Sequence, residues 1–194
     1  MLEIAFRNTG RLLGLINDLL DLSRLESDNI VYHLKNLELC NFLKESIDLN
    51  GGIATTFNVT LVLNIDIKNA WLHIDETCLH QIMSNLISKA IKFPKQDGKV
   101  SVKLSSLDNY YRIAVSDNGS GIDKAYQPFL FQKFTQEQSS QTRSVDGTGL
   151  GLAITKSLIE QLGRKLNYTT AQEDGTSFFV DLSILHTTRH AIQK

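Results

Sequence analysis

Apolar and polar residues along this chain recur with two periods, and the changes of period mark its elements. Over residues 2–26, Leu12, Ile16 and Leu19 recur at three- and four-residue spacing with Leu13 and Leu20 beside them, the stripe of an amphipathic helix. Leu15, Leu22 and Leu25 widen the stripe beyond what an isolated helix can bury, so it needs partners, in a helical bundle or on its own domain. No cap or turn signal precedes it, the pattern of a helical hairpin entered at its second half. Ser27-Asp28-Asn29 breaks the helix.

A strand over 30–34 is predicted next, then a helix opening near Asn41, whose side chain can cap it, and ending around Asn50-Gly51-Gly52. Residues 58–66 alternate as a strand, and 71–74 read as another. Asp75 then caps a helix running to about Phe93, closed by Pro94 and Asp97-Gly98. Residues 99–107 and 110–117 form a hairpin around Asp108-Asn109. Residues 118–148, rich in Gly, Ser, Gln and Thr, hold few apolar side chains beyond Phe129, Leu130, Phe131 and Phe134. A stretch that long without regular structure inside a compact domain predicts a functional lid. A helix over 150–162 and strands over 166–170 and 177–185 complete the pattern. The order predicts a two-layer α/β sandwich, a mixed and mostly antiparallel sheet with three helices, preceded by a long bundle helix. The divisions expected are 1–27 for that helix, 28–186 for the domain and 187–194 for a frayed tail.

Composition narrows the function more than the fold. The 194 residues suffice for one domain with a helical appendage, and 42% hydrophobic with 21% charged residues is ordinary for a soluble protein. With 20 basic against 21 acidic side chains there is no general basic surface for nucleic acid or anionic membrane. Cys40 and Cys78 stand alone without metal-ligand spacing, as reduced thiols of a cytoplasmic domain do. The leucine-rich first segment carries Arg11, Asn17, Asp18, Asp21 and Arg24, so it is amphipathic and not membrane-spanning.

Three segments carry chemistry. DNGSGI at 117–122 follows a strand, and Gly119 and Gly121 let backbone approach a flat ligand while Asp117 offers an acceptor to an exocyclic amine. Asp-Asn-Gly is also ordinary turn chemistry. GTGLG at 147–151 feeds directly into a helix, aiming unpaired N–H groups and the positive dipole end at a loop able to wrap phosphates, with the Thr148 hydroxyl as a further donor. A tight strand-to-helix turn is its plainer reading. On the helix after Asp75, Gln81, Asn85, Lys89 and Lys92 share a face, opposite Leu79, Ile82, Leu86, Ile87 and Ala90. An amide and two ammonium groups suit a triphosphate, although such a stripe also serves as a solvated face. Neither glycine loop fits the dinucleotide fingerprint.

Together these segments resemble sensor histidine kinases. NLISKAIKF (85–93) is similar to their N box, DNGSGI to the first glycine box, FLFQKF (129–134) to the F box, GTGLGLAI (147–154) to the second glycine box, and GTSF (175–178) to the closing motif on a late strand. RLLGLINDLLDLSRLES resembles the second helix of their dimerisation and phosphotransfer hairpin, so the likeness spans roughly residues 2–185. Order and spacing fit this family better than the topoisomerases, mismatch-repair ATPases and chaperones that share its Bergerat-type ATP fold.

The resemblance implies ATP with Mg²⁺. Asp117 would read the adenine amino group, with Gly119, Gly121, Ile122 and Thr176 shaping that end of the pocket. Asn85 would hold the metal and take part in catalysis. Lys92 would contact phosphate, and Phe93 would flank the nucleoside; Lys89, read from its own charge and not from the resemblance, could neutralise phosphate directly. Lys133 would reach the γ-phosphate, while Gly147, Thr148, Gly149, Leu150 and Gly151 wrap the phosphate chain. The partners implied are a histidine-bearing helix of the same or a partner kinase, a response-regulator receiver domain, and a second copy in a homodimer.

Two departures qualify the expectation. Lys89 stands where the family places a second asparagine as an oxygen ligand, and an ammonium has three donors and no acceptor. Impaired use of Mg²⁺-ATP follows, unless Lys89 swings to solvent and leaves the metal to Asn85 and water. None of His33, His73, His80, His186 or His190 lies in an H-box context, so the phosphoacceptor is expected upstream in a longer protein or on another chain. A catalytically impaired nucleotide- or partner-binding regulator is the rival reading, and an ATPase clamp the third.

Overall fold

The computed structural model describes residues 2–27, 31–92, 95, 97–135, 148–171 and 174–184. Helix α1 (Leu2–Glu26) comes first, as its stripe predicts. Strand β1 (Leu34–Glu38) leads into α2 (Leu39–Thr56), followed by β2 (Thr60–Ile65), β3 (Trp71–Asp75) and α3 (Glu76–Lys92). The hairpin β4 (Lys99–Leu107) and β5 (Tyr110–Asp117) turns at Asp108-Asn109, and α4 (Gly151–Gln161), β6 (Lys165–Ala171) and β7 (Gly175–Ser183) complete the chain. Among the described residues these are the α-helices and strands, so the expected three helices lie within the domain and one precedes it. The tail at 187–194 lies outside the described residues.

Two expectations about α2 are corrected. Its cap is Glu38 rather than Asn41: the two carboxylate oxygens accept the N–H groups of Cys40 (3.2 Å) and Asn41 (2.8 Å). The helix also runs through Gly51 and Gly52 to Thr56. Tertiary burial overrides the glycine signal here, because Ser46, Asn50 and Ala54 face the core and the Asn50 amide donates to the Ser46 carbonyl at 2.8 Å. Neither glycine meets another atom that a Cβ would touch within 4 Å, so their absence of side chains serves no packing.

The main sheet has the order β2-β4-β5-β7-β6, with β2 parallel to β4 and the other pairs antiparallel. β1 and β3 form a separate antiparallel pair. Helices α2, α3 and α4 cover one face, over β2, over β4 and β5, and over β6 respectively. Leu79, Ile82, Leu86, Ile87 and Ile91 of α3 are fully buried against Val102, Leu104 and Ile113 of the sheet. This is the two-layer, mixed and mostly antiparallel sandwich expected. Cys40 and Cys78 are free thiols, pushed by burial to about 11 and about 12, which suppresses their thiolates.

Helix α1 docks on the domain through its second half, from Asp18 to Glu26. Leu22 and Leu25 are buried, whereas Leu12 and Leu20 remain 59% and 52% exposed, with Leu13, Ile16 and Leu19 also open. Gln161 of α4 donates to the Leu25 carbonyl at 2.8 Å and fixes that end. Among the described residues no helix is long and apolar enough to cross a membrane.

Candidate functional site

Helix α3 positions the first group of candidate side chains. Asp75 caps it as expected, Oδ1 accepting the Cys78 N–H at 3.0 Å and Oδ2 that of His33 at 2.7 Å. Burial alone would raise the Asp75 carboxyl, but these N–H bonds hold it below its ordinary range. With the apolar face in the core, Gln81, Asn85, Lys89 and Lys92 form a half-buried stripe on the opposite face. Asn85 Nδ2 donates to the Gly151 carbonyl (3.2 Å) and to Thr155 Oγ1 (3.3 Å), joining α3 to the first turn of α4. The stripe therefore faces the second glycine loop and is not simply solvated.

The second group gathers where β5 ends. Asp117 Oδ1 accepts the N–H of Gly119 at 2.8 Å and of Thr176, on neighbouring β7, at 3.2 Å. Burial raises the Asp117 carboxyl above its ordinary value, and those N–H groups together with the Lys89 ammonium offset only part of the rise. Of the two loop glycines only Gly121 takes a left-handed φ, 77°. Ile122 is buried and donates its N–H to Thr170 Oγ1 at 2.9 Å, and that hydroxyl lies 3.0 Å from the Thr176 hydroxyl. Gly175 is a residue the sequence reading passed over. Its φ is 89°, and a Cβ there would stand 2.0 Å from the Asp117 carbonyl oxygen. The signal was available in GTSF, whose first letter is this glycine.

The third group is the pair of lid ends. Phe134 donates its N–H to the Gly149 carbonyl at 3.1 Å, and a Cβ on Gly149 (φ 72°) would meet the Phe134 carbonyl carbon at 3.0 Å. Tyr126 OH donates to the Thr135 carbonyl at 2.9 Å, a second tie at the same place. Thr148 Oγ1 accepts the Leu150 N–H at 3.2 Å, and Gly151 opens α4. Gly147 and Phe93, with the lid residues 136–147, lie outside the described residues.

Carboxylates of α1, unforeseen in the sequence as contacts, meet the third group and the stripe. Asp18 accepts from the Thr148 hydroxyl, Asp21 from Gln81 Nε2 at 2.5 Å, and Glu26 pairs with Lys133. Asn85, Lys89, Asp117, Thr148 and Gly151 thus lie along one contiguous face, while the Lys133 ammonium is directed to α1. The Glu26–Lys133 pair is largely exposed and contributes little stability.

Comparison with known proteins bears on this face. Residues 74–185, more than half of the chain, match the family described as histidine kinase-, DNA gyrase B- and HSP90-like ATPase. The chain is 34% identical over 171 residues to the circadian input-output histidine kinase CikA of Synechococcus elongatus, covering 87% of this chain and 23% of that protein. It is 30% identical over 183 residues to the sensor protein kinase WalK of Staphylococcus aureus, covering 93% of this chain and 30% of the relative. The chain thus spans less than a third of these relatives. A structure of full-length ShkA in complex with AMPPNP superposes with a TM-score of 0.80 at 27% identity, over 92% of this chain and 37% of that one. At 20% identity, histidine kinase ThkA in complex with response regulator protein TrrA shares the fold, with a TM-score of 0.75 over 96% of this chain and 51% of that one. The chain therefore belongs to the histidine kinase-, DNA gyrase B- and HSP90-like ATPase family, and the relatives it resembles are sensor histidine kinases.

Proposed function

We propose that this chain binds ATP between α3, the loop after β5 and the loop before α4, and passes its γ-phosphoryl to a histidine outside these 194 residues in two-component signalling. The observation that carries the reading is Asp117. Both backbone bonds land on Oδ1, which leaves Oδ2 to accept the exocyclic amine of adenine. Gly119, Gly121, Ile122 and Thr176 frame that end, and Lys92, Thr148, Gly149, Leu150 and Gly151 face the phosphates; for Gly147 and Phe93, outside the described residues, the phosphate and nucleoside roles rest on the family resemblance alone. Lys133 reaches the γ-phosphate once released from Glu26. The chain's part is positioning and charge neutralisation, as an imidazole nitrogen bonds phosphorus and the bond to the ADP oxygen breaks.

The residues present do not fit the Mg²⁺ that the resemblance implies. Mg²⁺ takes oxygen ligands, usually one or two carboxylates together with substrate phosphates. From Gln81 to Lys92 the helix carries no Asp or Glu, and its polar stripe there offers the amides of Gln81, which donates to Asp21, and Asn85 beside the two ammonium groups of Lys89 and Lys92.

The acceptor is a histidine-bearing helix of the same or a partner kinase, and the next recipient is a response-regulator receiver domain, a reading the ThkA–TrrA complex supports. The open apolar face of α1 supports a homodimer formed through residues 1–27, with 28–186 as the cytoplasmic catalytic domain and 187–194 as a tail. Mixing the chain with radiolabelled ATP and an isolated histidine-bearing hairpin tests the proposal. Label on the hairpin is the expected result. Nucleotide binding without transfer would favour a regulator, the reading Lys89 supports.

A further inference from the structure

On α3, Lys89 stands one turn beyond Asn85 and three residues before Lys92, and all three are half-buried on the face that meets the glycine loops. Asn85 is pinned to Gly151 and Thr155, which fixes that face against the start of α4. Lys89 is also close enough to Asp117 for its charge to lower that carboxyl, so the ammonium lies inside the pocket's field. The loop and first turn from Thr148 to Thr155 contain no carboxylate. The acid at the head of the first glycine loop, Asp117, spends Oδ1 on backbone. Among the described residues, with the Asp18 and Asp21 carboxylates of α1 already given to Thr148 and Gln81, a divalent cation here meets two like charges and few oxygens, whereas a phosphate chain meets two ammonium groups and a row of N–H donors.

We propose that this pocket takes its nucleotide as the free polyphosphate anion, with Lys89 and Lys92 neutralising the phosphates in place of a divalent metal. The inference rests on the ATP reading above and adds the ionic form of the ligand. An ammonium suits the task because its three rotatable donors can follow phosphate oxygens without fixed geometry. Added Mg²⁺ then competes with the protein, because it removes free nucleotide as its complex.

Calorimetric titration of the whole chain with AMPPNP, once in EDTA and once in excess Mg²⁺, tests this without reference to turnover. Wild type is expected to bind at least as tightly in EDTA as in Mg²⁺. Lys89→Asn should reverse the order, weakening in EDTA and regaining about tenfold when Mg²⁺ is added. Lys89→Met, which removes the charge without supplying an oxygen, should weaken in EDTA and recover nothing with Mg²⁺. About tenfold tightening of wild type by Mg²⁺ would overturn the inference while leaving ATP binding intact. No binding in either buffer by a folded chain, checked by its thermal melt, would overturn this inference and the ATP reading together.

Discussion

At the scale of single residues, Asp117 carries two roles that one substitution separates. Its Oδ1 holds the Gly119 and Thr176 N–H groups, and an asparagine can accept both bonds through its own amide oxygen. The raised carboxyl binds its proton more tightly in the folded chain than in the unfolded one. It therefore costs stability as pH rises from its ordinary value of 3.8 through the raised one, and the cost is complete above that window. Asp117→Asn removes the cost, so its thermal melt at neutral pH should equal or exceed that of wild type. A charge-assisted bond to the adenine amine is worth about 1.5–3 kcal/mol, so AMPPNP affinity should fall by roughly tenfold to a hundredfold. A melt well below wild type would show that the charge is structural. In wild type the same raised carboxyl should make binding fail, on acidification, at a higher pH than an ordinary carboxylate would.

At the scale of elements, α1 is tied by Asp18, Asp21 and Glu26 to groups on three separate segments: Thr148, Gln81 and Lys133. The carboxylates occupy donors that a phosphate chain also attracts, so the docked helix and the nucleotide compete. Replacing all three acids with alanine should raise AMPPNP affinity by about fivefold or more, a typical coupling between sites. The loss of stability should be within about 1 kcal/mol for each contact, since such pairs are partly exposed. Unchanged affinity by calorimetry would show that α1 and nucleotide do not compete. None of these ties was legible in the sequence, because a pair such as Asp18 and Thr148 is joined by folding across 130 positions and by no local pattern. What local pattern does specify was legible: α1 from its leucine period, α3 from Asp75 and its two faces, β4 and β5 from alternation around Asp108-Asn109. The end of α2 was not, because Gly51 and Gly52 signal a stop that buried Asn50 and Ala54 override.

At the scale of the whole molecule, the candidate site joins the sheet to the helical layer. Asp117 and Thr176 belong to adjacent central strands, while Asn85 and Gly151 belong to the helices above. The sequence supplied the boxes, their order and so their family. The structure supplied what brings them together, namely the β5–β7 pairing and the α3–α4 bond, neither of which local propensity encodes.

The closeness of Gly175 to the Asp117 carbonyl has a consequence for how this chain can vary. Every replacement of a glycine adds a Cβ, and here that atom would fall 2.0 Å from a backbone oxygen, with no flexible side chain able to yield. Gly51 and Gly52 are the opposite case, with open space around them. In a saturation library selected for nucleotide binding, position 175 should return glycine alone, whereas 51 and 52 should accept most residues and gain about 0.5–1 kcal/mol each from alanine. Several substituents recovered at 175 would mean that β5 and β7 can part at this point. Drift in the lineage is then free along the outer face of α2 and closed at one position beside the adenine end of the pocket.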